Sequence, residues 1–547
     1  MLRPDQPSPE MATMMLRRFL TDRRAGVTPM FALAIIPVFG LIGAAIDYSR
    51  ANSVRTAMQA AADATALMLS KDAPTLTASQ LSTKGTAYFQ ALFNRPEAKN
   101  LAIIAAYSTT AGSQLTISAS ASVDASFMKI MGYPQLNVGT SSVVKWGNAR
   151  LRVALVLDNT GSMADDNKIG ALKTATNSLL TQLKNAATNN GDVYVSIVPF
   201  VKDVNADSVN VNATWIDWTD WEDEPPYIKT NKPSNWDQIN AGDTCPFTTS
   251  THGFGCAPNP TSTSTTSTIP SSGTYAGYIC PGTDQGNKVP SKGGSAYNGC
   301  YNTVAATRPI SSGPGSSCGT TSNCSCSGNG NNKVCAQTYY NHTWIKNAHS
   351  TWNGCVNDRG DAAAPNSGNY DTNVSAPVSS NAATQFSAEQ YTMCPQAVMP
   401  LSYNWTQMTA LVNAMSPNGN TNQAIGLAHG WMSLVGGGPY PAPPAMDSNY
   451  TYNQVIILLT DGLNTQDRWY TSQSSIDARQ QLTCNNVKAA GITLYTIQVN
   501  TGGDPTSTLL QNCASTSDKF FLLTSSTQIV TVFNQIGTQL SQLRISK

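Results

Sequence analysis

The stretch RVALVLDNTGSM, residues 152–163, decides how the fold is read. Arg152–Leu157 is a short, largely apolar run of the sort buried on both faces of a parallel sheet. It passes without a break into Asp158-Asn159-Thr160-Gly161-Ser162-Met163. An Asp-x-Thr-x-Ser turn at a strand's carboxyl end aims one carboxylate and two hydroxyls at a single point. Hard oxygen donors of this kind suit Mg²⁺, Mn²⁺ or Ca²⁺ rather than zinc or copper. Gly161 stands where the backbone must turn tightly. By itself the pattern also describes an ordinary polar turn.

Working outward, strands and helices alternate. Ile169, Leu172, Leu179, Leu180 and Leu183 keep helical spacing, and Val193–Phe200 reads as a second strand. Further on come a helix carrying Trp405, Met408, Leu411, Val412 and Met415, and another from Thr421 to Leu434. The strand Gln454–Leu459, a helix near Ile476–Ala490 and the strand Ile492–Val499 follow. A short strand at Phe520–Leu523 leads to a terminal helix with Ile529, Val532, Phe533, Ile536 and Leu543 on one face. Such alternation predicts an α/β, doubly wound, mostly parallel sheet with ligands at the carboxyl ends of its strands. Two more pieces belong to that edge. Val455–Leu459 ends in Thr460-Asp461-Gly462, a second carboxylate, and Gly419-Asn420-Thr421 opens a helix with another hydroxyl.

These three pieces, in this order, resemble the von Willebrand factor A domain and its metal-ion-dependent adhesion site, over residues 150–203 and 396–547. The resemblance implies metal ligation, direct or through water, by Asp158, Thr160, Ser162, Thr421 and Asp461. Thr160 stands where the family more often has Ser and keeps the hydroxyl. The implied cofactor is a divalent cation, Mg²⁺ first, with Ca²⁺ or Mn²⁺ as alternatives. A partner's Asp or Glu would complete its shell.

Residues 204–395 interrupt the alternation. The segment is rich in Gly, Ser, Thr, Asn and Pro, includes the tract Thr261–Thr268, and carries ten of the twelve cysteines. Such a composition buries little apolar surface, so cross-links are the expected substitute. Disulfides in an oxidising compartment are favoured over zinc at Cys318, Cys324, Cys326 and Cys335, because the spacing lacks paired C-x-x-C units. Cys484 and Cys513 lie outside the insertion, on elements flanking one strand, and are predicted to bond to each other. Pairings among the ten stay open.

At the other end, Gly26–Ile46 is a 21-residue run without charge, preceded by Arg17, Arg18, Arg23 and Arg24. That length crosses a hydrocarbon core as a helix, and the arginines keep the N-terminus cytoplasmic. A cleaved signal peptide at Ala44-Ala45 is the alternative. The run exceeds a usual signal core, and a helical stripe continues through Val54, Met58, Ala61, Thr65 and Met68, which favours an uncleaved anchor. The stretch RRAGVTPMFALAIIPVFGLIGAAIDYSRANSVRTAMQAAADATALMLS, residues 23–70, is similar to the N-terminus of TadE/TadG-like proteins of Flp (tight-adherence) pilus assembly. Processed pilin-like relatives place Glu five residues after the glycine, where this chain has Phe31, so the resemblance implies a permanent anchor. A second helix near Leu81–Phe93 and strands at Leu101–Tyr107, Leu115–Val123 and Leu136–Val144 complete a small α+β module.

The expected organisation is a cytoplasmic N-terminus (1–25), a transmembrane helix (26–46), a stalk and α+β module (47–149), the A-type domain in two parts (150–203 and 396–547) and the insertion (204–395). A net charge of +1 argues against nucleic acid as a partner. Enzyme chemistry is not expected. His429 reads as a packed or surface helix residue rather than a general base, Asp165 and Asp166 read as a solvated turn beside Lys168, and no small-molecule substrate is implied. Trp215, Trp218 and Trp221, set among Asp217, Asp220, Glu222, Asp223 and Glu224, read either as a docking patch or as a loop packed by its own aromatics.

The two resemblances together imply a non-enzymatic component of Flp pilus assembly or anchoring. It would sit in a bacterial inner membrane with its bulk in the periplasm. Its partner would be another pilus-assembly subunit or pilin supplying an acidic residue. A surface-exposed adhesin using the same site on host or matrix ligands is the alternative, and a metal-dependent hydrolase a second one.

Overall fold

The computed structural model describes residues 13–14, 17, 27–109, 113–146, 149–187, 189–360, 377–436, 438–448 and 450–545. Most of the expected cytoplasmic N-terminus, and Gly26, lie outside the described residues. The chain divides into two compact units that meet in sequence at Asn148 and Ala149.

In the first unit, one helix, α1, runs from Val27 to Ser70. Its apolar N-terminal half is exposed, at Phe31, Leu33, Ile36, Phe39 and Leu41, while Val54, Met58, Ala62, Thr65, Ala66 and Leu69 are buried. Met68, expected on the buried stripe, is exposed. At 3.6 residues per turn the stripe centres on Ala62, Ala66 and Leu69, which leaves Met68 at its margin. Thr77 and Gln80 form a reciprocal cap that starts α2, Ala78–Leu92. Strands β1 (Ala98–Ser108), β2 (Ser113–Asp124) and β3 (Gln135–Trp146) make an antiparallel sheet in the order β1-β2-β3. Leu115, Ile117, Ala119, Ala121 and Val123 of β2 pack with α1 and α2 in one core.

The second unit is built around β4 (Ala149–Asp158), whose residues are almost all buried. Leu151, Val153, Leu155 and Leu157 face one core and Ala154 and Val156 the other. The continuous apolar run therefore reflects a strand covered on both faces. After β4 come α3 (Lys168–Ala186), β5 (Val193–Phe200) and a short edge strand β6 (Val204–Asn205). The insertion then supplies a ribbon of β7 (Gly299–Ser312), β8 (Cys324–Ser327) and β9 (Val334–Lys346), and the edge strand β10 (Cys355–Val356). The chain returns through β11 (Met399–Ser402), α4 (Trp405–Ala414), α5 (Gln423–Val435), β12 (Thr451–Thr460), α6 (Gln473–Ala489), β13 (Thr493–Val499), α7 (Thr508–Cys513), β14 (Phe520–Leu523) and α8 (Thr527–Ile545).

The sheet order is β10-β6-β5-β4-β12-β13-β14, with β11 also paired to β5. The pairs from β5 through β14 are parallel, and β6, β10 and β11 join antiparallel. Helices α3, α4 and α8 cover one face; α5, α6 and α7 cover the other. Close packing of α5 on the central strands depends on two glycines. A Cβ on Gly426 would lie 2.7 Å from the Phe200 ring, and one on Gly430 would lie 2.5 Å from Val156. The Cys484–Cys513 disulfide ties α6 to α7 across the end of β13, as expected.

The insertion departs from the composition-based expectation. Its cysteines pair as Cys245–Cys256, Cys280–Cys300, Cys318–Cys324, Cys326–Cys335 and Cys355–Cys394, so the zinc alternative falls to disulfide bonding. Yet it also has a core of its own, with Ile228, Phe247, Phe254, Ile279 and Tyr301 buried together. It lends Trp221, Trp352 and Phe386 to the core beneath α5. The tryptophan-rich loop is thus packed by its own aromatics. Trp218 stacks on His349 with ring centroids 3.8 Å apart and meets Trp221 and Trp352 edge-on.

Candidate metal centre

Parallel pairing sets the first two pieces of the site side by side. Leu157 of β4 is opposite Leu459 of β12, so Asp158 and Asp461 leave adjacent strands at the same edge. Asp158 is fully buried. Its Oδ1 accepts from the Thr160 amide at 2.7 Å and its Oδ2 from the Thr460 hydroxyl at 2.7 Å. Asp461 Oδ1 accepts from the Ser162 hydroxyl at 2.7 Å, and the Ser162 and Thr160 hydroxyls are 3.3 Å apart. A hydrogen-bonded chain therefore joins Asp158, Thr160, Ser162 and Asp461.

The third piece is brought in through its backbone. The Gly161 amide donates to the Gly419 carbonyl at 2.9 Å and the Asn418 amide to the Asn159 carbonyl at 2.8 Å. Thr421 donates its amide to the Thr465 hydroxyl and accepts the Thr465 amide on its carbonyl, at 2.8 and 2.9 Å. Among the described residues, no hydrogen bond ties the Thr421 hydroxyl to the other four. Thr421 also precedes α5 instead of opening it. Asn422 is the cap, its side chain accepting from the Ile425 amide, and that role ends the loop one residue after Thr421.

Burial and the nearby charge of Asp461 push the Asp158 carboxyl up to about 7, against the hydrogen bonds from Thr160 and Thr460 that favour its charged form. Two carboxylates converging out of water call for a cation, and part of that demand is met inside the chain. Lys168 Nζ lies 2.6 Å from Asp461 Oδ2, with both side chains almost wholly buried. The contact is ionic rather than a well-formed hydrogen bond, since Oδ2 has no donor of good geometry. Lys168, read from sequence only as a neighbour of the Asp165-Asp166 turn, is thus drawn inward. Asp165 and Asp166 are exposed, but Asp166 and Asn167 take positive φ, 51° and 54°, and the chain turns so that Lys168 reaches the site.

Sequence reasoning missed two residues. Thr460 was legible as a hydroxyl beside Asp461, but its partner is Asp158 on another strand. Lys168 carries no local sign of a contact with a carboxylate 293 positions away. The insertion supports the third loop, with the Tyr391 hydroxyl accepting from the Asn420 amide at 3.2 Å. Gly161, Ser162 and Thr465 remain exposed, so the cluster is open on one side.

The donor set is oxygen only, with two carboxylates and hydroxyls held by the protein's own hydrogen bonds, and the second oxygen of Asp461 is met by the Lys168 ammonium alone. That chemistry fits a hard divalent cation. His429 lies elsewhere. It is fully buried in α5, its Nδ1 is 2.6 Å from the Tyr440 hydroxyl, and burial brings its pKa down to about 3. It is a packed residue.

Comparison with known proteins adds two family matches. Residues 26–68 match the putative Flp pilus-assembly TadE/G-like family, and residues 371–535 match the von Willebrand factor type A domain. The second match begins beyond β4 and β5; the sheet joins those strands to it. A comparison with curated protein sequences finds no match. Among solved structures, the pilus adhesin SpaC from Lactobacillus rhamnosus GG is 12% identical with a TM-score of 0.29, over 82% of this chain and 36% of SpaC. This chain thus spans about a third of that adhesin's length. The vWF domain of the type V pili tip protein Mfa5 from Porphyromonas gingivalis is 8% identical with a TM-score of 0.30, over 73% of this chain and 97% of the other. The adhesive tip pilin GBS104 from Group B Streptococcus agalactiae is 10% identical with a TM-score of 0.29, over 72% and 99%. Nothing about function follows from similarities of this size. What the family matches establish is a TadE/G-like segment at residues 26–68 and a von Willebrand factor type A domain carried by the same chain.

Proposed function

We propose that this chain is a non-enzymatic, membrane-anchored component of Flp pilus assembly or anchoring, gripping a protein partner through a divalent cation. The cation, Mg²⁺ in the first instance, would be held by Asp158, Thr160, Ser162, Thr421 and Asp461. When bound, it supplies a positive centre that accepts a carboxylate from the partner. The chain's own residues do the positioning. Thr460 and the Thr160 amide fix Asp158, Ser162 fixes one oxygen of Asp461, and Lys168 offsets charge on the other. The anchor would place the N-terminus in the cytoplasm and the bulk of the chain, beyond the apolar half of α1, in the periplasm. Within the second unit, residues 204–395 are read as an insertion between 150–203 and 396–547.

One observation carries the reading: the hydrogen-bonded chain from Asp158 to Asp461, open to solvent at Ser162. The enzyme reading loses support from His429, the histidine nearest in sequence to Thr421, which is sealed in the core. The test is capture of partners from solubilised envelopes by the full chain, with Mg²⁺ or with chelator, comparing wild type with Asp158→Ala. A pilus-assembly protein retained only by wild type with Mg²⁺ is expected. Equal retention by Asp158→Ala, or by wild type in chelator, would rule out the metal grip.

A further inference from the structure

Asp47, the first charged residue after the apolar run, is buried in the first unit. Its carboxylate accepts three consecutive backbone amides, from Ser126 at 3.0 Å and from Phe127 and Met128 at 2.7 and 2.8 Å. It thereby clamps the segment linking β2 to β3, a short 3₁₀ turn at Met128–Met131 closed by Gly132 in the left-handed region. The clamped loop turns its apolar side chains outward. Ile130 is 86% exposed, Tyr133 61%, Met131 58% and Phe127 45%.

The loop lies against the apolar part of α1. A Cβ on Gly43 would collide with Phe127 Cβ, and one on Gly40 would fall 3.8 Å from Met131 Sδ. Only glycine at position 43 lets the loop come so near. Between loop and helix runs an apolar groove of about 620 Å³, walled by Ile35, Ile36, Phe39 and Leu41 on one side and by Phe127, Ile130 and Met131 on the other. At 1.5 Å per residue, Gly40 and Gly43 lie roughly 6–10 Å along the axis inside Asp47.

We propose that the Phe127–Tyr133 loop is a second membrane contact, immersed beside α1 in the outer part of the bilayer that the helix spans. The proposal rests on the reading of α1 as a membrane span. Depth argues for lipid as the occupant, because a loop packed on Gly40–Gly43 shares the level of those residues. Composition agrees: Phe127–Tyr133 holds no acidic residue, and its one lysine and one tyrosine are the types that sit at headgroup level. The loop's exposed apolar surface is also continuous with that of Phe39 and Leu41. Asp47 then acts as a strut. It satisfies three amides that would otherwise lack partners near the hydrocarbon boundary.

Every cysteine of the chain is in a disulfide, so one introduced cysteine takes a thiol-reactive label specifically. Full-length Ile130→Cys, Leu41→Cys and Ser79→Cys variants, each carrying an environment-sensitive fluorophore, would be placed in phosphatidylethanolamine–phosphatidylglycerol nanodiscs. Quenching by nitroxide lipids would then be compared with quenching by aqueous iodide. The expected result is lipid quenching at positions 41 and 130 at least threefold above that at position 79. A label at 41 in lipid with the label at 130 in water overturns the loop contact and leaves the anchor standing. Labels at both positions in water overturn the anchor as well. A label at 130 shielded from both quenchers shows that protein covers the loop, a second copy or a partner, and overturns the lipid assignment.

Discussion

The sheet-and-helix body and the insertion beside it reach order by different routes. In the body, side chains alternate between two cores, and each strand is buried through its own pattern and its neighbours'. In the insertion, five disulfides and an aromatic cluster hold the irregular segments around one three-stranded ribbon. The lesson is that periodicity specifies the first kind of order and covalent closure the second. The two then share a boundary, where Lys202 pairs with Glu389 at 2.9 Å and Asn422 donates to Asp358 at 3.0 Å, all of them buried.

The largest test of that contrast is removal of Cys355–Cys394, which closes a separation of 39 residues. Loop-closure entropy puts the loss at about 4 kcal/mol in Cys355→Ser/Cys394→Ser. Hydrogen exchange should then show amides of β7 and β9 losing protection while β12 and β13 keep theirs. Equal loss in both regions would mean that body and insertion unfold together, and the contrast would fail.

A smaller effect sharpens it from the body's side. His429, brought down to about 3 in the fold, has an ordinary value near 6.5 when unfolded. Between those values the unfolded chain binds the extra proton, so this contribution is full above pH 6.5 and falls as the solution is acidified. Asp158 and Asp467, raised to about 7 and 6, pull the other way. The His429 share is therefore read as a difference. From pH 7 to 4.5, wild type should lose about 2.5 kcal/mol relative to His429→Gln, by urea denaturation at each pH. Parallel pH profiles would show that His429 is not sealed in the core.

The smallest effect concerns the edge where the carboxylates meet. Thr460→Val keeps the side chain's shape and removes the donor to Asp158 Oδ2. A cost of about 1.5 kcal/mol is expected in metal-free protein, with weaker Mg²⁺-induced thermal stabilisation. An unchanged response to Mg²⁺ would separate Thr460 from the site.

Most of the body was legible because its strands and helices announce themselves locally. Val193–Phe200 and Phe520–Leu523 fall at the boundaries read from sequence, and Asp158 and Asp461 at strand ends follow from the alternation. The Cys484–Cys513 bond was legible for the same reason, since both residues sit on elements flanking one strand. The rest needed three dimensions. Lys168 becomes part of the site only through two left-handed residues before it. The insertion's core draws on Ile228, Phe254 and Tyr301, too widely spaced for any period to reveal. Asp47 reads as a charge ending an apolar run, while its partners lie about eighty residues onward.

The unbroken course of α1, from Val27 to Ser70, has a mechanical consequence. Tension applied to the small α+β module passes into the apolar half through a single rod, with no compliant hinge to absorb it. The rod has one flaw, Pro37, which cannot donate to the Leu33 carbonyl, so stretching strain concentrates at that turn. Yielding under load would begin there, among the hydrophobic residues, before the packed lower half of the helix gives way.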